Sequence, residues 1–205
     1  METYTIQNKQ RYVIKYLFIK KKILLAGLLI GVSIVSGLHY WQLYQANNLQ
    51  KSAQAFEKIS SQLQANTKQA LTAAELFVNE ANNIYGILIN IELAKIFVEK
   101  DDFIAAEKTL FKALAIANVD ELKNLLNIKL ARIQLALKKP DQALITLEKV
   151  KSKGWYTITK NIRGDILLNK GDIDGARFAY SQGIESSGTE TMKTILKLKI
   201  NSLPN

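Results

Sequence analysis

The sequence predicts an all-α protein in which one membrane-crossing helix precedes a solenoid of helical hairpins. Three observations predict this class. Residues Ile23 to Tyr44 form one uncharged, strongly apolar stretch. Small and bulky residues recur downstream at a fixed offset, with polar turns between them. Only two prolines and ten glycines interrupt a chain dominated by Leu, Ala, Ile and Lys, a composition that favours helix.

The first element is a short tail, residues 1–22, carrying Lys9, Arg11, Lys15, Lys20, Lys21 and Lys22 against the single acid Glu2. Lysine and arginine are held on the cytoplasmic side, so this tail is expected to stay there and the C-terminal bulk to be exported. Residues 23–44 then span roughly 33 Å as a helix at 1.5 Å per residue, about the thickness of a bilayer's hydrocarbon core. Tyr40, Trp41 and Tyr44 stand where an aromatic belt meets the outer interface, and Tyr12, Tyr16 and Phe18 are placed along the inner one. The rival reading is a cleaved signal peptide, with Val35-Ser36-Gly37 as its cleavage site. A basic region of 22 residues and an uncharged segment longer than the usual signal core weigh against it. Within the span, Gly27 and Gly31, with Ser33 and Gly37 on an adjacent face, form small-xxx-small patterns that let helix backbones approach in lipid. The plainer alternative is that glycine is frequent in membrane helices.

Residues 45–83 are expected to supply the first helices of the exported part. Asn48 to Gln64 reads as one helix, with Ala53, Phe56, Ile59 and Leu63 on one side. Thr67 to Ala81 reads as another, carrying Ala70, Leu71, Ala74, Phe77 and Val78. Together they suggest an irregular first hairpin.

Residues 84–205 hold the repeat. Ala94, Ala131 and Gly164 each precede a second small residue by twelve positions: Ala106, Ala143 and Ala176. Each pair encloses a polar turn: Lys100-Asp101-Asp102, Lys138-Lys139-Pro140 and Lys170-Gly171-Asp172. Four residues after the second small residue comes a bulky one, Leu110, Leu147 or Tyr180, and the period is 37 and then 33 residues. This is the logic of a tetratricopeptide-like helical hairpin, in which small residues let two helices meet and the bulky one fills the groove. Pro140 suits the first turn of a helix and Gly171 the end of one. Ile91, Leu93, Ala94, Phe97 and Val98 are expected on one helical face, as are Leu130, Ala131, Ile133 and Leu137. Thr189 to Leu203 reads as a lone helix carrying Ile195, Leu198 and Ile200, a cap on the solenoid.

Little in the chain points to chemistry. Six of its 28 basic residues and one of its 18 acids precede residue 45, so the rest is basic by about five charges. The lysines are dispersed and lack interleaved aromatics, which argues against nucleic acid. With no cysteine and the single histidine His39 at the edge of the span, neither a zinc site nor a nucleophilic triad can be assembled. Asp101-Asp102 and Asp172/Asp174 sit at turns where aspartate caps helices, and Gly183 and Gly188 are isolated and make no phosphate loop. No catalytic, cofactor or metal residues are assigned, and the chain reads as a non-enzyme.

What stacked hairpins offer is a concave surface lined by the first helix of each repeat. Register places Lys95, Val98 and Glu99, then Arg132, Leu135 and Ala136, then Asp165, Leu168 and Asn169 toward it. Val98, Leu135 and Leu168 would make an apolar strip flanked by charges, able to hold an extended or helical peptide. The alternative is that some of these residues pack against the N-terminal hairpin or the C-terminal helix.

Several stretches carry a resemblance: Ile84-Tyr85-Gly86, Glu92-Leu93-Ala94 with Phe97-Val98, Leu130-Ala131-Arg132, Lys153-Gly154-Trp155, and Ile162-Arg163-Gly164-Asp165 through Lys170-Gly171-Asp172 to Gly175-Ala176-Arg177. They resemble the YfgM family of ancillary SecYEG translocon subunits, over nearly the whole chain. The resemblance implies a single inner-membrane helix, cytoplasmic N-terminus and periplasmic tetratricopeptide-like domain. It also implies partners: the SecYEG translocon, a PpiD-like periplasmic chaperone, and exported polypeptides handed on to other chaperones. The tail in that family can be acidic and tied to stress regulation, whereas Met1 to Lys22 is basic here, so that role is not carried over. A scaffold of another envelope complex, or a secreted peptide-binding protein if residues 1–37 are cleaved, are the competing readings.

Overall fold

A computed structural model describes the backbone of residues 3–65 and 67–204 and, within those, side chains other than residues 3–20, 22 and 24. The inner-interface placement expected for Tyr12, Tyr16 and Phe18, and the positions of Lys20 and Lys22, lie outside the described side chains. The described elements are all helical: α1 (Thr3–Leu63), α2 (Lys68–Glu80), α3 (Ile84–Glu99), α4 (Phe103–Ile116), α5 (Asp120–Ala136), α6 (Pro140–Leu147), α7 (Tyr156–Asn169), α8 (Ile173–Glu185) and α9 (Glu190–Asn201), with a 3-10 turn at Lys153–Trp155.

The chain divides into two units after Lys51. In the first, α1 from Leu25 onward is long and apolar enough to cross a membrane, with mean hydropathy 1.3 in its apolar window and none of that window buried. Ile23, Leu28, Leu29 and Val35 are each more than half exposed, an arrangement that water does not tolerate over such a length and hydrocarbon does. A Cβ built on Gly27, Gly31 or Gly37 would meet nothing within 4 Å, so this face is bare.

The second unit, Ser52–Asn205, is a succession of neighbours in which each helix packs chiefly on the next in sequence, and α5 also touches α7. That is the contact pattern of a solenoid. All three small pairs lie in its core: Ala94, Ala131, Ala106, Ala143 and Ala176 are at most 4 % exposed. Leu110, Leu147 and Tyr180 fill the grooves beside them and are likewise buried. Burying each such side chain contributes about 1.5–3 kcal/mol.

The three turns share one geometry. Asp101 and Lys138 have φ of 57° and Gly171 has φ of 81°, so each hairpin turns through a left-handed residue. The next amide then bonds back at 2.9 Å to a carbonyl of the preceding helix: Asp102 to Phe97, Lys139 to Gln134, Asp172 to Leu167. This double-bonded ending satisfies carbonyls that a helix C-terminus otherwise leaves orphaned. Asp102 and Asp172 go on to cap the following helices, accepting from Ala105 N and Gly175 N at 2.9 Å. The middle hairpin uses Pro140 at the start of α6 with no side-chain cap.

Two expectations about facing need correction. The apolar residues of α3 do not share one face: Ile89, Leu93 and Ile96 pack toward α1 and α2, while Ile87 and Ala94 pack toward α4 and α5. In α5, Leu130 and Ile133 face α3 and α4, whereas Ala131 joins Ala143, Leu147, Ile162 and Ile166. Inner helices of a solenoid are sandwiched, so their apolar residues must serve two neighbours. In the capping helix Leu196, with Ile200 and Leu203, packs on Tyr180, and Ile195 and Leu198 are exposed. Gly183 decides this, because a Cβ there would stand 2.6 Å from Leu196 Cδ1.

At the other end, α1 and α2 do not close on each other alone. The end of α1 also packs along α3: Ser60 Oγ donates to Glu92 at 2.8 Å, Asn83 Nδ2 donates to Ser52 Oγ at 2.9 Å, and Phe56 meets the Tyr85 ring at 5.6 Å. Ile59 and Leu63 share one core with Ala74 and Leu93.

Candidate partner-binding surface

The residues that follow the small position in the first helix of each hairpin are Lys95, Arg132 and Asp165. At α3 and α5 these are Lys95 and Arg132, both exposed. Between the two helices lies a groove of about 270 Å³, lined by Ile91, Lys95, Val98, Lys129, Arg132 and Ala136 over a floor of Ala94 and Leu110. Phe103 and Ile133 complete its apolar walls. The short side chains of Val98 and Ala94 leave this groove unfilled.

Four of the register-derived residues, Lys95, Val98, Arg132 and Ala136, therefore come together. Leu135 and Leu168 do not join them. Leu135 occupies the same register as Val98 one repeat on, and there the longer side chain fills the seam between α5 and α7, half-buried against the core of Ala131, Leu147 and Ile162. Leu168 is 39 % exposed and borders no described groove with Val98. The expected continuous apolar strip is thus interrupted at its centre.

Asp165, the third residue in this register, is engaged within the chain. Lys199 Nζ of α9 donates to Asp165 Oδ1 at 2.5 Å and to Asn161 Oδ1 at 2.7 Å, and Tyr180 OH donates to Asp165 Oδ1 at 2.7 Å. The Lys199 ammonium also lies 5.5 Å from the Tyr180 ring centre. Burial, then the hydrogen bond to Asp165 and its charge, push the Tyr180 phenol well above its ordinary range. At the third repeat this register position is occupied from within the chain by Lys199, whereas Lys95 and Arg132 border an open groove.

The register rule overlooks Lys129, whose signal is its spacing of three from Arg132 on one helical face. Two further cavities lie elsewhere along the repeats. One of about 430 Å³ lies between the end of α1 and α3, lined by Ser60, Gln64, Glu92 and, again, Lys95. Another of about 360 Å³ lies where α6 leads into α7, with Lys151, Lys153, Lys160 and Arg163 around Tyr156. Among the described residues no group of three or more His, Cys, Asp or Glu side chains is placed to hold a metal. The isolated glycines have packing roles, since a Cβ on Gly188 would lie 2.4 Å from Thr157 Oγ1.

Residues 19–205 match the family model described as a tetratricopeptide repeat-like domain. The chain is 35 % identical over 204 residues to the ancillary SecYEG translocon subunit of Escherichia coli K12, covering 99 % of both chains. It is 31 % identical to the ancillary SecYEG translocon subunit of Aggregatibacter actinomycetemcomitans, over 89 % of each chain. Against the one from Buchnera aphidicola of Schizaphis graminum it is 29 % identical, over 72 % of this chain and 76 % of that one. No solved structure matches the chain.

Proposed function

Because this chain belongs to the family of ancillary SecYEG translocon subunits, we propose that it is a non-enzymatic adaptor at the bacterial export channel. Its apolar N-terminal helix anchors it in the inner membrane, with the basic tail in the cytoplasm and the repeat unit in the periplasm. The observation that carries this reading is the end-to-end likeness to the Escherichia coli subunit, which takes in the apolar helix as well as the repeats. The positive charges before residue 23 support the orientation.

Two surfaces divide the work. The bare Gly27/Gly31 face packs against a neighbouring membrane helix, and the groove of Lys95, Val98 and Arg132 holds a partner polypeptide. A PpiD-like chaperone and exported chains are the partners this reading assigns, with hand-over of those chains to further periplasmic chaperones. Anchoring raises the local concentration of the groove near the channel, so each contact can be weak and the engagement still effective.

Crosslinking in membranes followed by isolation in mild detergent tests the reading. SecYEG subunits should be recovered with the full chain, and their consistent absence would refute it. Replacing residues 23–44 by an unrelated span then separates the two surfaces. Partners that persist are selected by the repeats, and partners that vanish are selected by the span.

A further inference from the structure

The charges around the α3–α5 groove say what kind of segment it takes. Lys95, Lys129 and Arg132 stand on its rim, and its walls and floor are Ile91, Val98 and Phe103 over Leu110. Among the described residues the one acid paired to this rim is Glu99, 3.7 Å from Lys95 with both side chains more than half exposed, a contact of little strength. Among the described residues, neither Lys129 nor Arg132 has a carboxylate within 4.0 Å. At about 270 Å³ the groove is smaller than the pockets that enclose small-molecule ligands, and it suits one large side chain of a longer segment.

The third repeat shows how this fold answers a charge in that register. There the residue is Asp165, and α9 supplies Lys199 to it at 2.5 Å. In the first two repeats the register holds Lys95, met by the exposed Glu99 of its own helix, and Arg132, which among the described residues has no carboxylate within 4.0 Å.

We propose that the α3–α5 groove selects extended polypeptide segments in which a large apolar residue is flanked by carboxylates. The apolar side chain enters between Val98 and Ile133, and the carboxylates reach Lys95 on one rim and Lys129 and Arg132 on the other. This deepens the adaptor reading by naming the chemistry of its occupant, and it rests on that reading for its setting. Such binding is salt-dependent, because Lys95 and Arg132 are exposed to water and Lys129 is partly so.

The full chain in nanodiscs of zwitterionic lipid is titrated into two fluorescent nonapeptides with a central leucine, one flanked by glutamates and one by lysines. Anisotropy should show the glutamate peptide binding at least tenfold more tightly at low salt. K95E/R132E changes exposed residues and should invert that order. K151E/K153E makes the same change of net charge at the cavity beside Tyr156 and should preserve it. Equal affinities, no binding of either peptide, or the same loss in both variants would overturn the inference. Recovery of SecYEG with the unaltered chain is scored from the same membranes. Subunits recovered without peptide selectivity sink this inference alone, and subunits missing sink the adaptor reading whatever the peptides do.

Discussion

Gly164 carries the ring of Tyr180 directly against its bare Cα. A Cβ at Gly164 would stand 2.2 Å from Tyr180 Cε1 and 2.5 Å from Cδ1, while the Tyr180 hydroxyl is held at 2.7 Å by Asp165. The two earlier hairpins make the same contact with Ala94 beside Leu110 and Ala131 beside Leu147, all buried. A larger groove-filling residue in the last hairpin requires a smaller partner.

Gly164→Ala should therefore lower stability by about 1–3 kcal/mol, the usual cost of overpacking a filled core. In a Tyr180→Leu background the same change should be neutral or favourable, since alanine is about 1 kcal/mol better than glycine inside a helix. Thermal unfolding of the four proteins in a double-mutant cycle measures this. Equal effects of Gly164→Ala in both backgrounds would refute the coupling.

The same tyrosine gives the protein an alkaline limit. Its folded-state pKa is raised by burial, then by the hydrogen bond to Asp165 and that residue's charge. The unfolded chain loses the phenolic proton near pH 10 while the folded one keeps it. The stability this provides is complete below about pH 10 and falls above it, by up to about 1.4 kcal/mol per pH unit. Tyr180→Phe should flatten the decline by one proton, read as the slope of unfolding free energy above pH 10. Identical slopes would contradict the assignment.

Left-handed turns are paid at different rates in the three hairpins. Lys138 adopts φ of 57° with a Cβ to accommodate, whereas Gly171 adopts 81° without one. Lys138→Gly should raise stability by up to about 1 kcal/mol and Gly171→Ala should lower it by about 1 kcal/mol. Opposite signs in denaturant midpoints are the expected result, with unchanged m-values.

Much of this architecture is legible in the sequence because its signals are local. Twenty-two uncharged residues before the repeats, the small pairs twelve apart and the turn residues each report on a few neighbours in the chain. Facing is harder to read. An apolar period shows that a helix has a dry side, and α3 and α5 have two. In α9 both Ile195/Leu198 and Leu196/Ile200/Leu203 obey helical spacing, and the choice is made by Gly183 on another helix.

The groove was half legible for the same reason. Register puts Lys95, Val98 and Arg132 on one side, but whether a seam is open depends on side-chain length across it. Val98 leaves a cavity where Leu135 fills one. In the third repeat Gly164, Asp165 and Tyr180 stand where the earlier repeats have alanine, a cation and leucine, and they belong to one network closed by Lys199. Departures from a repeat's pattern at adjacent register positions are the sign of a unit adapted to meet a cap.

The most direct test of the adaptor account is site-specific photocrosslinking in living cells, with the probe at Arg132 in the groove and, separately, at Gly31 in the apolar helix. The account expects the Gly31 probe to yield adducts with a SecYEG subunit and the Arg132 probe to yield adducts with a periplasmic chaperone or an exported chain. Adducts at both positions that contain no translocon subunit, chaperone or exported chain would contradict it.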